Sequence, residues 1–87
     1  MDESVDARVV DSDKPLSISV QPGQVFSVIP VTAPAVGVAV RGAQYPLEQA
    51  TLVPGTTVGL SNVAIETRLQ VLVDEGIVLV LLVYPEA

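Results

Sequence analysis

The sequence predicts an all-β protein, an antiparallel β-sandwich of jelly-roll type with about seven or eight short strands. Several segments alternate apolar and polar residues with a period of two, as half-buried strands do. Pro and Gly turns separate these segments at short, regular intervals. The apolar residues are mainly Val, Ile, Leu and Ala, and only 3% of the chain is aromatic. No segment keeps a helical period over three turns, so the 87 residues are expected to form one sandwich.

The N-terminal residues differ in composition from the rest of the chain. Half of the ten acidic side chains lie within the first 13 residues. Clustered like charges at a chain end are typical of a solvated segment. Residues 1–6 are therefore predicted to be a disordered tail or linker remnant, and residues 7–84 to be a single β-sandwich domain.

The first predicted strands follow in order. Residues 7–11 (ARVVD) are a short strand, and the Asp and Pro of residues 12–15 (SDKP) form a turn. Residues 16–20 (LSISV) alternate clearly. Residues 21–24 (QPGQ) place Pro and Gly as a type II turn requires, and residues 25–31 (VFSVIPV) are the next strand.

The middle of the chain is less regular. Residues 36–42 (VGVAVRG) are predicted to be a strand. Residues 43–52 allow two interpretations, one helical turn starting at Pro46 or a strand with an irregular corner. Residues 53–57 (VPGTT) form a second Pro-Gly turn, and residues 58–64 are irregular.

The last two strands are predicted to form a β-hairpin. Residues 67–73 (TRLQVLV) alternate, and residues 74–76 (DEG) are a tight connection. Residues 77–84 (IVLVLLVY) are apolar on both faces. Such a strand is central in its sheet, or its outer face is covered by another sheet or subunit.

Composition excludes several classes of function. The chain has no His and no Cys, which removes the usual catalytic pairs and zinc sites, and we predict no catalytic and no metal-binding residue. The net charge is -6 with four scattered basic residues, so nucleic acid is not an expected partner. The longest apolar run is far shorter than a membrane helix, and no signal segment is visible. No membrane partner is expected, and the composition is typical of a cytoplasmic binding or interaction module.

One polar segment stands out in the apolar chain. Residues 55–62 read GTTVGLSN, and Tyr45 lies upstream. Hydroxyls and an amide can donate and accept hydrogen bonds to a heteroaromatic ring without charge. The same residues are common turn formers, and Tyr45 is equally compatible with the edge of a core as with ligand stacking. The residues alone leave both readings open. The candidates are Tyr45, Thr57, Ser61 and Asn62.

An ordered set of short motifs resembles the C-terminal domain of thiamine pyrophosphokinase over about residues 7 to 83. No single motif is specific, but the set at these spacings is. It comprises Ile29-Pro30, Gly37-Val38, Gly42 followed by Tyr45-Pro46-Leu47, Ala50 to Leu52, Gly55, Gly59 and Ser61-Asn62.

The resemblance implies a thiamine-binding and dimerising domain. The family enzyme converts ATP and thiamine to AMP and thiamine diphosphate. Its N-terminal α/β domain carries ATP, Mg²⁺ and the catalytic acids, and it works as a homodimer whose active sites combine domains of both subunits. That α/β domain is not in this chain, so the chain alone is expected to be inactive and to hold no cofactor itself. By resemblance, Ser61 and Asn62 bond the aminopyrimidine of thiamine, and Thr57 is a further candidate.

Three positions depart from the family pattern. Val63 and Ala64 follow Ser-Asn where the family has a polar residue and an aromatic ring, and Gln44 stands where a basic residue is frequent. The alternative function is therefore a structural or interaction sandwich that self-associates and has lost ligand binding. A sugar-binding sandwich is a third hypothesis, but such sites are usually rich in aromatic side chains.

Overall fold

The computed structural model describes residues 4–31, 34–54 and 60–84. Within these ranges the chain forms eight β-strands and no helix, which confirms the predicted all-β fold. The strands are β1 (Ser4–Val10), β2 (Leu16–Ser19), β3 (Val25–Pro30), β4 (Ala35–Arg41), β5 (Leu47–Leu52), β6 (Leu60–Val63), β7 (Arg68–Leu72) and β8 (Val78–Tyr84).

The strands form two four-stranded antiparallel sheets. Sheet I has the order β1-β8-β3-β6, and sheet II has the order β2-β7-β4-β5. This order is that of a jelly roll, in which two Greek keys share one sandwich. Four of the pairs join strands on either side of the chain's midpoint: β1 with β8, β2 with β7, β3 with β6 and β4 with β5. In all four the residue numbers of the partners add up to 87 or 88. The chain is therefore one long hairpin, folded back near residue 44 and then rolled into two sheets.

The core lies between the sheets and is almost wholly aliphatic. Alternate residues of each strand point inward, as in β8, where Val78, Val80 and Leu82 are fully buried and Leu79 and Leu81 are not. Phe26 is the one aromatic ring of the core. The other members of the core are Val10, Leu16, Val28, Ala35, Val38, Val40, Ala43, Leu52, Ala64, Leu69, Val71 and Val73.

The predicted hairpin of the last two strands is wrong. β7 pairs with β2 and β4 in sheet II, whereas β8 pairs with β1 and β3 in sheet I. The connection between them is held on β4, because Val36 N donates to Glu75 O and the amides of Asp74 and Glu75 both donate to Val36 O. The alternation of residues 67–73 identifies a strand but not its partner. The other expectation for β8, a central strand, is confirmed, since it lies between β1 and β3.

Three boundaries differ from the sequence prediction. β1 begins at Ser4 and pairs with β8 from there, so the predicted terminal segment overlaps a strand at residues 4–6. Of the two interpretations of residues 43–52, the strand with an irregular corner is the observed one: β5 is a strand whose register against β4 shifts twice. Part of the segment predicted to be irregular is β6, which is extended because it pairs with β3.

No helix in the described part of the chain is long and apolar enough to cross a membrane.

Candidate functional site

A cavity of about 270 Å³ opens between the two sheets, beside their edge strands β5 and β6. A dry cavity of about 150 Å³ accepts one six-membered aromatic ring, so this one is large enough for a small heterocyclic ligand. Its described lining residues are Val28, Val40, Tyr45, Leu47, Leu52, Ser61 and Asn62. Three of the four predicted site residues are thus brought together. The fourth, Thr57, lies outside the described residues.

The tip of the folded chain, residues 42–46, forms one wall of this cavity. It lies along the chain just after β6, where Gln44 N donates to Val63 O at 2.8 Å and Ile65 N donates to Gly42 O at 2.9 Å. Gly42 has a φ of 90°, a conformation that favours glycine. A Cβ at this position would overlap the carbonyl oxygen of Arg68. The close approach of the tip to β7 therefore requires glycine.

Asn62 fixes the tip to β6 through its side chain. Its Oδ1 accepts hydrogen bonds from Tyr45 N at 3.1 Å and Val63 N at 2.9 Å, and its Nδ2 donates to Tyr45 O at 2.8 Å. Among the described residues it is the one buried polar side chain, 7% exposed. A buried carboxamide needs such partners, because an unsatisfied one costs about 1–3 kcal/mol. Asn62 thus determines where the backbone of Tyr45 lies.

Ser61 and Asn62 face opposite ways. Neighbouring residues of a strand alternate across the sheet. Asn62 lies opposite the buried Phe26 and faces inward, whereas Ser61 lies opposite Ser27 on the outer face and is exposed. Both residues line the cavity, but their side chains do not converge on one point. The predicted hydrogen bonds from Ser61 and Asn62 to one aminopyrimidine ring stay a prediction.

Tyr45 is 62% exposed and reaches the cavity from the tip. Tyr45 lines the same cavity as Ser61, and the chain directly after Asn62 provides only Val63 and Ala64. The aromatic group of this site therefore comes from the tip.

The aliphatic lining was missed by sequence reasoning. Val28, Val40, Leu47 and Leu52 line the cavity together with the predicted polar residues. In the sequence these residues have the same alternation as any core position, and no signal separates a cavity wall from a filled core. Leu47 belongs to the motif Tyr45-Pro46-Leu47, but the motif indicated only Tyr45 as a candidate site residue.

The cavity offers little charge. Its described lining consists of four aliphatic side chains, one phenol, one hydroxyl and one carboxamide. Within the described ranges no three Asp or Glu side chains lie close enough to hold a metal ion. The chemistry of the lining suits a small apolar or heteroaromatic group bound by a few hydrogen bonds.

Fold and cavity together define a class: a small jelly-roll domain with an apolar cavity at the edge of the sandwich. A sequence model of the family described as "Thiamin pyrophosphokinase, vitamin B1 binding domain" matches residues 11–78. The chain belongs to this family. No curated protein sequence matches the chain significantly.

Solved structures share the fold at low sequence identity. Thiamine pyrophosphokinase from Bacillus subtilis superposes with a TM-score of 0.80 at 19% identity, covering 94% of this chain and 38% of its own. Thiamin pyrophosphokinase from Geobacillus thermodenitrificans gives 0.77 at 19% identity, with 98% and 38% covered. A thiamin pyrophosphokinase family protein from Enterococcus faecalis gives 0.65 at 17%, with 97% and 38% covered. The chain thus spans well under half the length of the proteins it resembles.

Proposed function

We propose that this chain binds thiamine in the cavity between β5 and β6, as the sandwich domain of a thiamine diphosphokinase. The observation that carries the proposal is the meeting of Tyr45, Ser61 and Asn62 at one apolar cavity in a chain of the vitamin B1 binding family. The heterocycle lies against the aliphatic wall, and the Tyr45 ring covers it. Ser61 also lines the cavity, although the register of β6 turns its side chain to the outer face, and both Ser61 and Thr57 remain candidates for a hydrogen bond to the ligand.

Asn62 has a different role in this proposal from that of a direct ligand. Its carboxamide already bonds the backbone of Tyr45 in both directions and the amide of Val63. It acts as a positioning residue, because it holds the tip and with it the Tyr45 ring at the cavity. Asn62→Ala should therefore weaken thiamine binding by moving Tyr45.

The reaction itself belongs to a larger protein in this proposal. Transfer of pyrophosphate from ATP to thiamine needs a nucleotide site and Mg²⁺-binding carboxylates. We place both, with the catalytic acids, in an α/β domain outside this chain, in a cytoplasmic homodimer. The 38% coverage of each solved relative supports a second domain of this kind.

Titration of the ¹⁵N-labelled chain with thiamine tests the binding step. We expect amide shifts at residues 45, 47, 61 and 62. The dissociation constant for thiamine should be about 1 mM, because in this proposal another domain completes the site. Ser61→Ala should reduce the affinity several-fold. Ser17→Ala, at an exposed serine of the opposite sheet, is the matched control and should not change it.

Choline serves as a second control for nonspecific attraction to the acidic chain. Equal shifts with choline and thiamine, or none with thiamine, would contradict the proposal. The second of these results would favour the alternative, an interaction sandwich without a ligand.

A further inference from the structure

Strand β5, at the edge of sheet II beside the cavity, contains one residue more than a regular pairing with β4 needs. Ala50 lies opposite Val38, and Leu47 lies opposite Val40. Two residues of β5, 48 and 49, therefore stand against a single residue of β4, and such an insertion is a β-bulge. Bulges bend a strand and change the direction of its side chains, so this one acts directly on the cavity wall.

The bulge determines which side chain of β5 faces the cavity. Leu47 and Leu52 both line it, although they are five residues apart. Neighbouring residues of a regular strand alternate, so residues at that spacing face opposite sides. If β5 continued regularly from Ala50, Glu48 would lie opposite the fully buried Val40. Leu47 would then face the outside.

The Glu48 carboxylate is exposed instead and faces Arg41. It accepts hydrogen bonds from Arg41 Nε at 3.0 Å and from Arg41 Nη2 at 3.3 Å. The described lining of the cavity contains no basic side chain that could replace this partner. Burial of an unpaired charge is costly. The bulge therefore puts a leucine in the cavity wall where a regular strand would put a carboxylate.

Gln49 has the backbone conformation that forms the bulge. Its φ is 53°, and it is the one residue other than glycine with a positive φ in the described part of the chain. This conformation is unfavourable for a residue with a Cβ and persists where the surrounding structure requires it. Gln49 is exposed, so packing of its side chain in the core does not explain the strain.

We propose that Gln49 is a positioning residue of the ligand site, because its left-handed backbone turns Leu47 toward the cavity and keeps Glu48 out of it. The proposal rests on the proposed function and adds a residue that is not itself among the described lining. The wall that results is uncharged and begins two residues after Tyr45. Such a wall suits an uncharged aromatic or heteroaromatic ring.

Titration of the 87-residue chain, labelled with ¹⁵N and with ¹³C in its methyl groups, with thiamine tests the proposal. Gln49→Val is the main variant, because a β-branched residue resists a positive φ and favours the regular register of β5. We expect at least about fivefold weaker binding, since affinity falls with the fraction of chains that keep the competent conformation. Gln49→Gly permits the left-handed backbone and should bind thiamine as the unchanged chain does.

The matched control is Gln70→Val, the same substitution in the regular strand β7 of the same sheet. It should leave the affinity for thiamine unchanged. Each titration is made well below the unfolding midpoint of the variant, so a loss of stability alone does not change the affinity. Equal binding by Gln49→Val and the unchanged chain overturns the proposal, and so does equal weakening by Gln49→Gly and Gln49→Val.

A milder pair of variants applies if Gln49→Val does not fold. Asparagine tolerates the left-handed conformation better than alanine does. Tighter binding by Gln49→Asn than by Gln49→Ala supports the positioning role, and equal binding by the two overturns it.

Benzene separates the positioning role from the proposed function, because an apolar cavity accepts it without any hydrogen bond. Benzene-induced methyl shifts of Leu47 and Leu52 therefore report the wall alone. Shifts with benzene but none with thiamine overturn the proposed function. In that case loss of the benzene shifts in Gln49→Val supports the positioning role, and unchanged shifts overturn it. Thiamine binding that Gln49→Val leaves unchanged overturns the positioning role alone, and no shifts with either compound overturn both.

Discussion

The outer faces of the two sheets differ in polarity, although both sheets cover the same core. Sheet II presents Ser17, Gln70 and Arg41 in one row across its strands and Ser19 beside Arg68 in the next. The corresponding rows of sheet I carry mainly aliphatic side chains, with Ser27 and Ser61 as the exceptions. Core packing cannot explain the difference, because both inner faces are aliphatic. The two outer faces are suited to different surroundings, because a polar face suits water and an apolar face suits contact with protein.

The polar face of sheet II bonds to itself. Arg68 donates to Ser17 Oγ at 3.1 Å and to Ser19 Oγ at 3.5 Å, and Arg41 donates to both carboxylate oxygens of Glu48. Sheet II is also the irregular sheet. The register of β4 against β5 shifts twice, and Gln49 in β5 has a φ of 53°. Regular strands with an apolar exterior suit association, whereas the irregular β4–β5 pair bends beside the cavity.

Truncation of neighbouring leucines in β8 is the largest expected test of this difference. Leu82 is fully buried, whereas Leu81 lies on the outer face of sheet I and is half-buried. Leu82→Ala should lower the free energy of unfolding by about 2–5 kcal/mol, and Leu81→Ala by about 1 kcal/mol in dilute solution. Chemical denaturation at low protein concentration measures both.

Protein concentration sharpens the same comparison. In the homodimer of the proposed function, contact through the outer face of sheet I would make the cost of Leu81→Ala grow with protein concentration, while that of Leu82→Ala should stay constant. Equal losses of unfolding free energy for Leu81→Ala and Leu82→Ala in dilute solution would show that the outer face of sheet I is already buried within one chain.

Two glycines give the next test, one at each sheet. Gly23 precedes β3 of sheet I and Gly42 follows β4 of sheet II, and both have positive φ. Both substitutions by alanine share the backbone strain of that conformation. A Cβ at Gly23 would meet no atom within 4 Å, whereas one at Gly42 would overlap Arg68 O. Gly42→Ala should therefore cost about 1–3 kcal/mol more than Gly23→Ala in thermal unfolding. A smaller loss for Gly42 would mean that the tip is not tightly packed on β7.

The ion pair on sheet II should have the smallest effect. The hydrogen bond from Arg41, together with its charge, lowers the pKa of Glu48 below its ordinary value. The contribution of the pair is thus present above the ordinary pKa of a glutamate and is lost as pH falls through the lowered value. Both side chains are largely exposed, so Glu48→Gln should leave the unfolding midpoint at pH 7 unchanged within error. A clear loss of stability at pH 7, suppressed by salt, would show that sheet II relies on this pair.

Much of the fold could be predicted from local patterns. Period-two alternation located β2 and β7, a continuous apolar run located β8, and the Pro-Gly turn before β3 marked its start. The irregular strand was one of two interpretations of the segment that forms β5. These predictions succeed because strand and turn preferences act over a few residues.

Pairing was harder to predict, because it depends on distant partners. β7 and β8 are separated by five residues and still lie in different sheets, and nothing in residues 73–77 indicates that β4 holds the connection. The candidate site could be predicted only in part, because it too depends on contacts between residues that are distant in sequence. Tyr45 and Asn62 were both singled out, but their mutual hydrogen bonds follow from the folding of the chain at its midpoint. The outward direction of Ser61 follows from its register with Ser27.

The midpoint fold has a consequence for synthesis of the protein. β1 pairs with β8, so β1 must wait after its own synthesis until β8 has also left the ribosome. Of all the strand pairs, β4 with β5 is the single pair of consecutive strands, so neither sheet can assemble from the N-terminal half alone. Pairings this distant in sequence also close slowly. None of β1 to β4 pairs with another of these four strands, so they stay unpaired during synthesis until the strands after the midpoint have been made.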